Sequence, residues 1–325
     1  MFDVLTRLLS TTLIMATPML VAAMGTLFIE RSGIINIGNE GFMIMGALMG
    51  VVGSYVSGSA FVGALVAMLS AGALGLVFAF FTITLRANQN VTGLALTTFG
   101  VGIGNFFGGS LTGLAVNAIA AAVTSLLFRQ IFGLSASVPR IETFETLPIP
   151  LLRDIPVLGV LFEQTAVGYL AFLLVPLTTF VLRRTRLGLT VRSVGENPLC
   201  CDTLGIHVQR TRYLSVLYGS MMAGLGGAFV SMGQLSFFTV GMIAGRGYMT
   251  LAAIVFGNYT PWGIMLACVL FGAVSSLQYM LQATSSLIPY QLWVSFPYLF
   301  AVLALCLYRT RSKAPACSGQ PFVRK

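Results

Sequence analysis

Charged side chains are scarce in this chain of 325 residues: 8% are Asp, Glu, Lys or Arg, whereas 57% are hydrophobic. A soluble domain carries about 25% charged residues, because a surface in water needs them. The hydrophobic residues lie in continuous runs of about 20, unlike the alternating pattern of barrel strands. Since a chain in lipid must satisfy its own backbone polar groups, the sequence predicts an all-α membrane protein.

Groups that support catalysis, metal binding or nucleotide binding are also scarce. His207 is the only histidine, the five cysteines lack zinc-type spacing, and no Gly-x-x-x-x-Gly-Lys-Ser/Thr string is present. Without a catalytic cluster, a membrane-embedded enzyme is the least favoured interpretation, and we predict neither cofactor nor metal. If the protein works with ATP, the nucleotide must bind to a separate chain.

The net charge of +9 is unevenly distributed, since 11 of the 18 basic residues lie in two places. One is the loop 183–212 and the other is the tail 309–325. Basic residues beside hydrophobic runs mark the cytoplasmic side of membrane proteins and suit anionic lipid headgroups. We therefore predict a cytoplasmic loop and a polar, mobile cytoplasmic tail, beside a lipid bilayer and without a nucleic-acid partner.

About ten hydrophobic runs are candidate transmembrane helices: 8–28, 32–58, 60–85, 91–109, 115–132, 166–182, 213–235, 236–258, 263–282 and 291–308. Ten crossings place the N-terminus in the cytoplasm, together with the tail. Nine are possible if 115–132 is a surface helix, and the N-terminus is then outside. The segment 133–165 has four acidic and two basic residues and is predicted to be an external loop.

Two hydrophobic segments are interrupted by polar or glycine-rich sequence, at 30–41 and at 236–247. Such broken helices in both halves of a membrane protein indicate inverted repeats with a pathway between them. A charge at the bilayer centre costs about 2.5–3.5 kcal/mol, so charges here should face protein or a wet cavity. Either Glu30 or Glu40 could pair with Arg31 or Arg246. Such pairs could also do no more than hold the broken backbone.

Seven polar side chains are candidates for lining a substrate pathway: Asn36, Asn39, Glu40, Asn88, Gln89, Asn105 and Arg246. Amide groups could bind the hydroxyl groups and base edges of a small polar solute. For each amide taken alone, hydrogen bonding between helices is the more common role.

The loop 183–212 contains the signals of a short helix. Asn197 is a good N-cap, Pro198 suits the first helical position, and Gly205 can end the helix in a left-handed turn. These signals predict a helix of about two turns over 198–204. A rigid helix between two spans offers a surface on which a partner ATPase could push, and a solvated linker is the simpler alternative.

Four segments resemble one transporter family. The sequence VGENPLCCDTLGIHVQRTRYLSVLYGSMMAGLGGA, 194–228, resembles the ATPase-contacting loop of the branched-chain amino acid and simple-sugar permeases. Three segments are similar to the nucleoside and simple-sugar branch: ERSGIINIGNEGFMIMGA at 30–47, RANQNVTGLAL at 86–96 and AGRGYMTLAAIVFGNYTPWG at 244–263. Asn39 and Asn88 depart from the pattern, because the family usually has leucine and aspartate there.

The resemblance implies that residues 1–325 form the permease domain of an ABC importer in the bacterial cytoplasmic (inner) membrane. It implies an ATP-binding subunit, a second and related permease subunit, an extracytoplasmic substrate-binding protein, and a nucleoside or simple sugar as substrate. It makes 195–205 the coupling helix, with the ATPase-coupling residues Gly195, Glu196, Asn197, Pro198, Asp202 and Gly205. The alternative function is a stand-alone ion-coupled secondary transporter of small polar solutes, with Glu40 as its ion or proton site.

Overall fold

The computed structural model describes residues 2–108, 141–148, 158–239, 241–284, 293, 295–300 and 313–323. The α-helices in these residues are α1 (Phe2–Arg31), α2 (Asn39–Ser57), α3 (Ala60–Ala79), α4 (Gln89–Gly108), α5 (Ala166–Arg184), α6 (Arg186–Glu196), α7 (Pro198–Thr203), α8 (Val208–Phe229), α9 (Arg246–Phe256) and α10 (Pro261–Thr284). Two of them continue in π-helical turns, α3 through Phe80–Thr84 and α8 through Val230–Leu235. The predicted all-α class is therefore confirmed.

Six helices of the described residues are long and apolar enough to cross a membrane: α1, α2, α3, α5, α8 and α10, with the π-helical turns included. The predicted run 91–109 corresponds to α4. The run 115–132 and most of 291–308 lie outside the described residues. The described part thus accounts for six of the predicted crossings.

The break that was predicted in the run 236–258 is present, since only Arg246–Phe256 of this run is an α-helix. Its described residues before α9 form turns, with left-handed backbone at Ser236 and Ala244 among others. The helix α9 has 11 residues and therefore rises about 16 Å, roughly half of a bilayer core about 30 Å thick. The segment is as apolar as a membrane span. Its helical part, however, has about half the length that a span needs, and turns precede it.

The centre of the bundle is formed by α1 and α8. Helix α8 packs against α1, α2 and α3, and α1 also packs against α10. Leu20 and Leu27 of α1 are fully buried, whereas the outer helices expose large apolar side chains. Phe61 of α3 is 71% exposed and Leu266 of α10 is 66% exposed. Such apolar outer faces are suited to lipid, as the hydrophobic runs predict.

Two short antiparallel strands, which the sequence did not predict, lie in the segment 133–165. Thr146–Pro148 forms β1 and Glu163–Thr165 forms β2, with Thr146 opposite Thr165. A 3-10 helix, Leu158–Phe162, precedes β2. Phe144 stacks on Phe229 with ring centroids 6.4 Å apart, and its N–H donates to the Met232 carbonyl at 3.2 Å. The described parts of this segment therefore rest on the end of α8.

The prediction of a mobile tail is wrong for residues 313–323. The Cys317 N–H donates to the carbonyl of Gly195 at 3.0 Å, and the Gly319 N–H donates to the carbonyl of Gly33 at 3.0 Å. Phe322 is buried beside Val194. Polar composition predicted a solvated chain, but backbone hydrogen bonds and one apolar side chain hold this segment against the bundle.

Candidate functional site

Several hydrogen bonds show which helix ends lie together. Arg31, at the end of α1, donates to the carbonyl of Tyr259 at 2.8 Å, and its guanidinium lies 5.6 Å from the Tyr259 ring centroid. The Lys313 N–H donates to Asn258 Oδ1 at 2.8 Å. The ends of α1 and α9, the tail 313–323 and the helices α6 and α7 therefore share one end of the molecule, which we call the loop end. The first residues of α1 lie at the opposite end.

Glu40 joins the starts of α2 and α9. One carboxylate oxygen accepts the Gly245 N–H at 2.8 Å and the other accepts the Gly247 N–H at 2.7 Å. A helix start has free N–H groups and a partial positive charge, so a buried carboxylate fits there. Since α9 is about 16 Å long and ends at the loop end, this junction lies within about 16 Å of that end, inside the bundle.

Arg246 reaches from the junction toward the middle of α1. It donates to Gln234 Oε1 at 3.1 Å and lies 3.6 Å from the sulfur of Met15. Gln234 in turn donates to the carbonyl of Ile14 at 2.8 Å. Ile14 and Met15 stand near the middle of α1, which runs from Phe2 to Arg31. The Arg246 guanidinium therefore lies at the level of the middle of α1.

The predicted pairing of carboxylates with arginines is not the arrangement found. Glu40 is bonded to backbone N–H groups, and Glu30 accepts the backbone N–H of Asn36 at 3.1 Å. Arg31 and Arg246 donate to carbonyl, amide and sulfur atoms. Glu30, Glu40 and Arg31 thus bond to backbone groups, whereas Arg246 bonds to side chains.

The amide candidates separate into different surroundings. Asn39 accepts from the Thr26 hydroxyl at 2.9 Å and donates to the carbonyl of Gly247 at 3.4 Å, so it belongs to the junction. Gln89 is buried and accepts the N–H of Ile35 at 2.8 Å. These bonds are hydrogen bonds between helices and connecting segments, the common role for buried amides.

Three further amides differ from these. Asn88 is exposed and accepts the N–H of Asn90 at 3.0 Å, which caps the start of α4. An aspartate could do the same. Asn36 is fully buried, and within the described residues neither polar atom of its side chain has a partner. The side chain of Asn105 lies outside the described part of the structure.

A cavity of about 220 Å³ lies beside the junction, lined by Glu40, Ile44, Val101, Gly104, Phe238, Gly241, Ile243 and Ala244. It is smaller than the roughly 300–1,000 Å³ typical of ligand pockets, so it could hold one ring of a larger solute. Of the six predicted pathway residues whose side chains are described, Glu40 alone is in this lining. A carboxylate has about four lone-pair positions, so Glu40 can accept further hydrogen bonds beside the two described.

Sequence reasoning missed two residues of this region. Gln234 bridges Arg246 to α1, and Phe238 supplies an aromatic wall of the cavity. A usable signal existed for the first, because Gln234 is the only glutamine in the apolar run 213–235. Phe238 carries no such signal, since aromatic side chains are common in lipid-facing segments.

The helix predicted over 198–204 is present as α7, which ends at Thr203. Asn197 Oδ1 accepts the Cys200 N–H at 3.1 Å, Pro198 is the first helical residue, and Gly205 has a φ of 81°. The preceding helix α6 was not predicted. Its buried residues Gly188, Val191 and Val194 are spaced three apart, which is the signal that could have revealed it.

The six predicted coupling residues lie together on α6, α7 and the turns that follow them. Gly195 and Pro198 face inward, whereas Glu196, Asn197 and Gly205 are exposed and Asp202 is partly buried. A groove of about 560 Å³ separates the two helices. Large apolar side chains are exposed around it: Leu187, Leu189, Leu199 and Leu204. Together α6 and α7, which we call the coupling unit, present an apolar surface at the loop end.

A bundle of membrane-length helices, with a half-length helix whose start is bonded to a buried carboxylate and a small helical unit at one end, defines a multi-pass membrane transport protein. The chain belongs to the family of permease components of branched-chain amino acid transport systems, whose model matches residues 8–305. It is accordingly a non-catalytic membrane subunit of an ABC transporter, and ATP is hydrolysed on a separate chain.

Three curated relatives illustrate the similarity. The guanosine ABC transporter permease protein NupQ of Bacillus subtilis is 34% identical over 332 residues, which cover 99% of this chain and 98% of NupQ. The putative glucose ABC transporter permease protein TsgC13 of Haloferax volcanii is 33% identical, with 94% and 93% covered. The guanosine permease protein NupP of Bacillus subtilis is 25% identical, with 79% and 70% covered. No solved structure matches the chain.

Proposed function

We propose that this chain is one of two permease subunits of an importer that brings nucleosides into the cell. The observation that carries the proposal is the junction at Glu40, where the start of a half-length helix meets a cavity. Transporters bind substrate beside the ends of broken helices in opposed repeats. The similarity to a guanosine permease over nearly the whole chain supports a nucleoside as substrate.

The proposed partners are an ATP-binding subunit, an extracytoplasmic binding protein and a second, related permease. Similarity to both NupQ and NupP of one organism supports a pair of unlike permeases. The exposed leucines of the coupling unit are the proposed contact for the ATP-binding subunit. An apolar patch at the end of a membrane protein needs a partner to cover it.

Within the pathway, we assign different roles to the candidate residues. Glu40 is proposed to accept hydrogen bonds from ribose hydroxyls or from the N–H groups of a base, because its carboxylate lines the cavity. Phe238 is proposed to contact the ring of the base. Asn39 and Arg246 are proposed to keep α9 in place, since each bonds across the junction or to its neighbours.

Substrate choice tests this proposal. The complex of this chain with its three partners is placed in vesicles, and uptake of labelled guanosine is measured in the presence of unlabelled competitors. We expect adenosine and uridine to compete and glucose and ribose not to compete. No uptake of labelled guanosine, together with uptake of labelled glucose by the same vesicles, would contradict a nucleoside substrate and favour a sugar.

Replacing Gly205 tests the coupling role of α7. Its φ of 81° suits glycine, and no atom lies within 4 Å of the position of an added Cβ, so a substitution acts through the backbone alone. We expect Gly205→Val to reduce uptake about tenfold while ATP hydrolysis continues, because valine disfavours this conformation by roughly 1–2 kcal/mol. Gly205→Asn is the matched control, since asparagine tolerates the left-handed region. Normal uptake with Gly205→Val would argue against coupling through α7.

Cysteine labelling tests which side the loop end faces. The clustered arginines support a cytoplasmic loop end, and α1 then begins outside, as in the alternative with nine crossings. We expect an impermeant maleimide to label exposed Cys200 in inside-out vesicles and not in right-side-out vesicles. Cys201 should react slowly in both, because burial raises the pKa of its thiol and the thiolate is the reactive form. With Cys200→Ser as control, labelling of Cys200 from outside would reverse the orientation.

A further inference from the structure

The tail 313–323 is tied to the coupling unit by more than one kind of contact. The Cys317 N–H donates to the Gly195 carbonyl at 3.0 Å, and the Cys317 thiol donates to the Glu196 carbonyl at 3.3 Å. The Ala316 N–H donates to the Glu196 carboxylate at 3.2 Å. These bonds meet the last turn of α6, immediately before α7 begins.

The same tail is bonded to the end of α1. The Gly319 N–H donates to the Gly33 carbonyl at 3.0 Å, and Arg31 donates to the Lys313 carbonyl at 3.3 Å. The tail therefore bridges the coupling unit and the helix at the centre of the bundle. The coupling unit also contacts the end of α1 directly, because an added Cβ at Gly195 would meet the carbonyl of Arg31, so the tail reinforces this contact.

Arg212 of α8 completes the bridge. Its guanidinium is 2% exposed and donates to the Ser32 carbonyl at 3.2 Å and to the Gln320 carbonyl at 3.1 Å. One side chain thus holds the end of α1 and the tail together. Carbonyls at the end of a helix carry partial negative charge, which suits a buried cation there.

Phe322 fixes the tail from its apolar side. It is 8% exposed and forms a small buried cluster with Val194, Cys201 and Val208, one residue from each of α6, α7 and α8. Ile206 packs against the same cluster. The inner face of α7 therefore rests on the tail, while Leu199 and Leu204 point outward.

We propose that the tail 313–323 is a brace that fixes the coupling unit to α1 at the loop end. Arg212 and Phe322 are its positioning residues. A push on α7 is transmitted to α1 through the brace, which reinforces the direct contact of Gly195 with the end of α1. Helix α1 in turn contacts the junction, where Thr26 bonds Asn39 and Met15 contacts Arg246. This inference rests on the proposed role of α7 as the contact for the ATP-binding subunit.

The test compares ATP hydrolysed with nucleoside imported, using the whole complex in vesicles. Phe322→Ala is the main variant, and Val323→Ala is its matched control because Val323 is 50% exposed. Arg212→Gln and exposed Arg210→Gln form a second pair. We expect Phe322→Ala and Arg212→Gln to raise the ATP consumed per nucleoside about tenfold, as coupling free energies allow, while the controls stay unchanged. A merely structural role would lower hydrolysis and import in proportion.

Labelling of Cys201 shows whether the brace has detached. We expect Phe322→Ala to make this buried thiol react faster with a maleimide, as read by mass spectrometry of its peptide, and Val323→Ala to leave it slow. If Phe322→Ala and Arg212→Gln keep normal coupling while Gly205→Val uncouples, the brace is wrong and the role of α7 stands. If all three keep normal coupling, the brace fails together with the role of α7.

Discussion

Replacement of Glu40 by glutamine is expected to reduce nucleoside uptake by about tenfold or more. The carboxylate accepts two N–H groups, and a glutamine amide can accept one while presenting its own N–H₂ to the other. The loss of one hydrogen bond to a charged group costs about 1.5–3 kcal/mol, which corresponds to a factor of about ten or more. The start of α9 would then be held less firmly against α2.

The matched control for this variant is Glu145→Gln, because Glu145 is an exposed carboxylate outside the bundle. Surface level of the complex should be measured for both variants by membrane fractionation, so that uptake is expressed per assembled complex. Unchanged uptake in Glu40→Gln would show that the two backbone bonds do not matter to transport. Uptake that is driven by a proton gradient in the wild type and is lost in Glu40→Gln would favour the ion-coupled alternative.

Introduction of a methyl group at Gly247 is expected to separate α2 from α9. A Cβ at this position would lie 2.5 Å from the backbone nitrogen and Cα of Glu40, a distance that real Cβ contacts do not show. Because both neighbours are backbone atoms, a rotamer change cannot relieve the contact. Overpacking of this kind costs about 1–3 kcal/mol, so Gly247→Ala should unfold at a lower temperature and lose transport.

Gly102→Ala is the control for this substitution. Gly102 lies in α4, and no atom is within 4 Å of the position of its added Cβ. This variant should keep the thermal unfolding midpoint and the uptake of the wild type, since alanine favours a helix more than glycine does. A normal unfolding midpoint and normal uptake in Gly247→Ala would mean that α2 and α9 do not approach as closely as described.

Features with local signals could be predicted from the sequence. Asn197, Pro198 and Gly205 specify α7 because capping, the first helical position and a left-handed turn each depend on one residue type. The apolar runs likewise predicted α1, α2, α3 and other spans, because a bilayer requires about 20 apolar residues in a helix. These signals lie within the segments they describe.

Features that depend on distant residues could not be predicted. Glu40 and Gly245 are 205 residues apart, and no feature of either segment indicates that the two are in contact. The run 236–258 was counted as a crossing because it is apolar over the length of a span, although its glycines indicated the break before α9. The tail looked solvated because its hold on the bundle comes from backbone groups and from the single side chain of Phe322.

The most direct measurement of the central claim is uptake of labelled guanosine into right-side-out vesicles that carry the complete complex. The vesicles are loaded with ATP or left without it, so that ATP is present only on the side of the ATP-binding subunit. The account predicts uptake that needs ATP, needs the binding protein, and persists when proton and sodium gradients are collapsed. Uptake that proceeds without ATP and stops when an ion gradient is collapsed would contradict it and make the chain a secondary transporter.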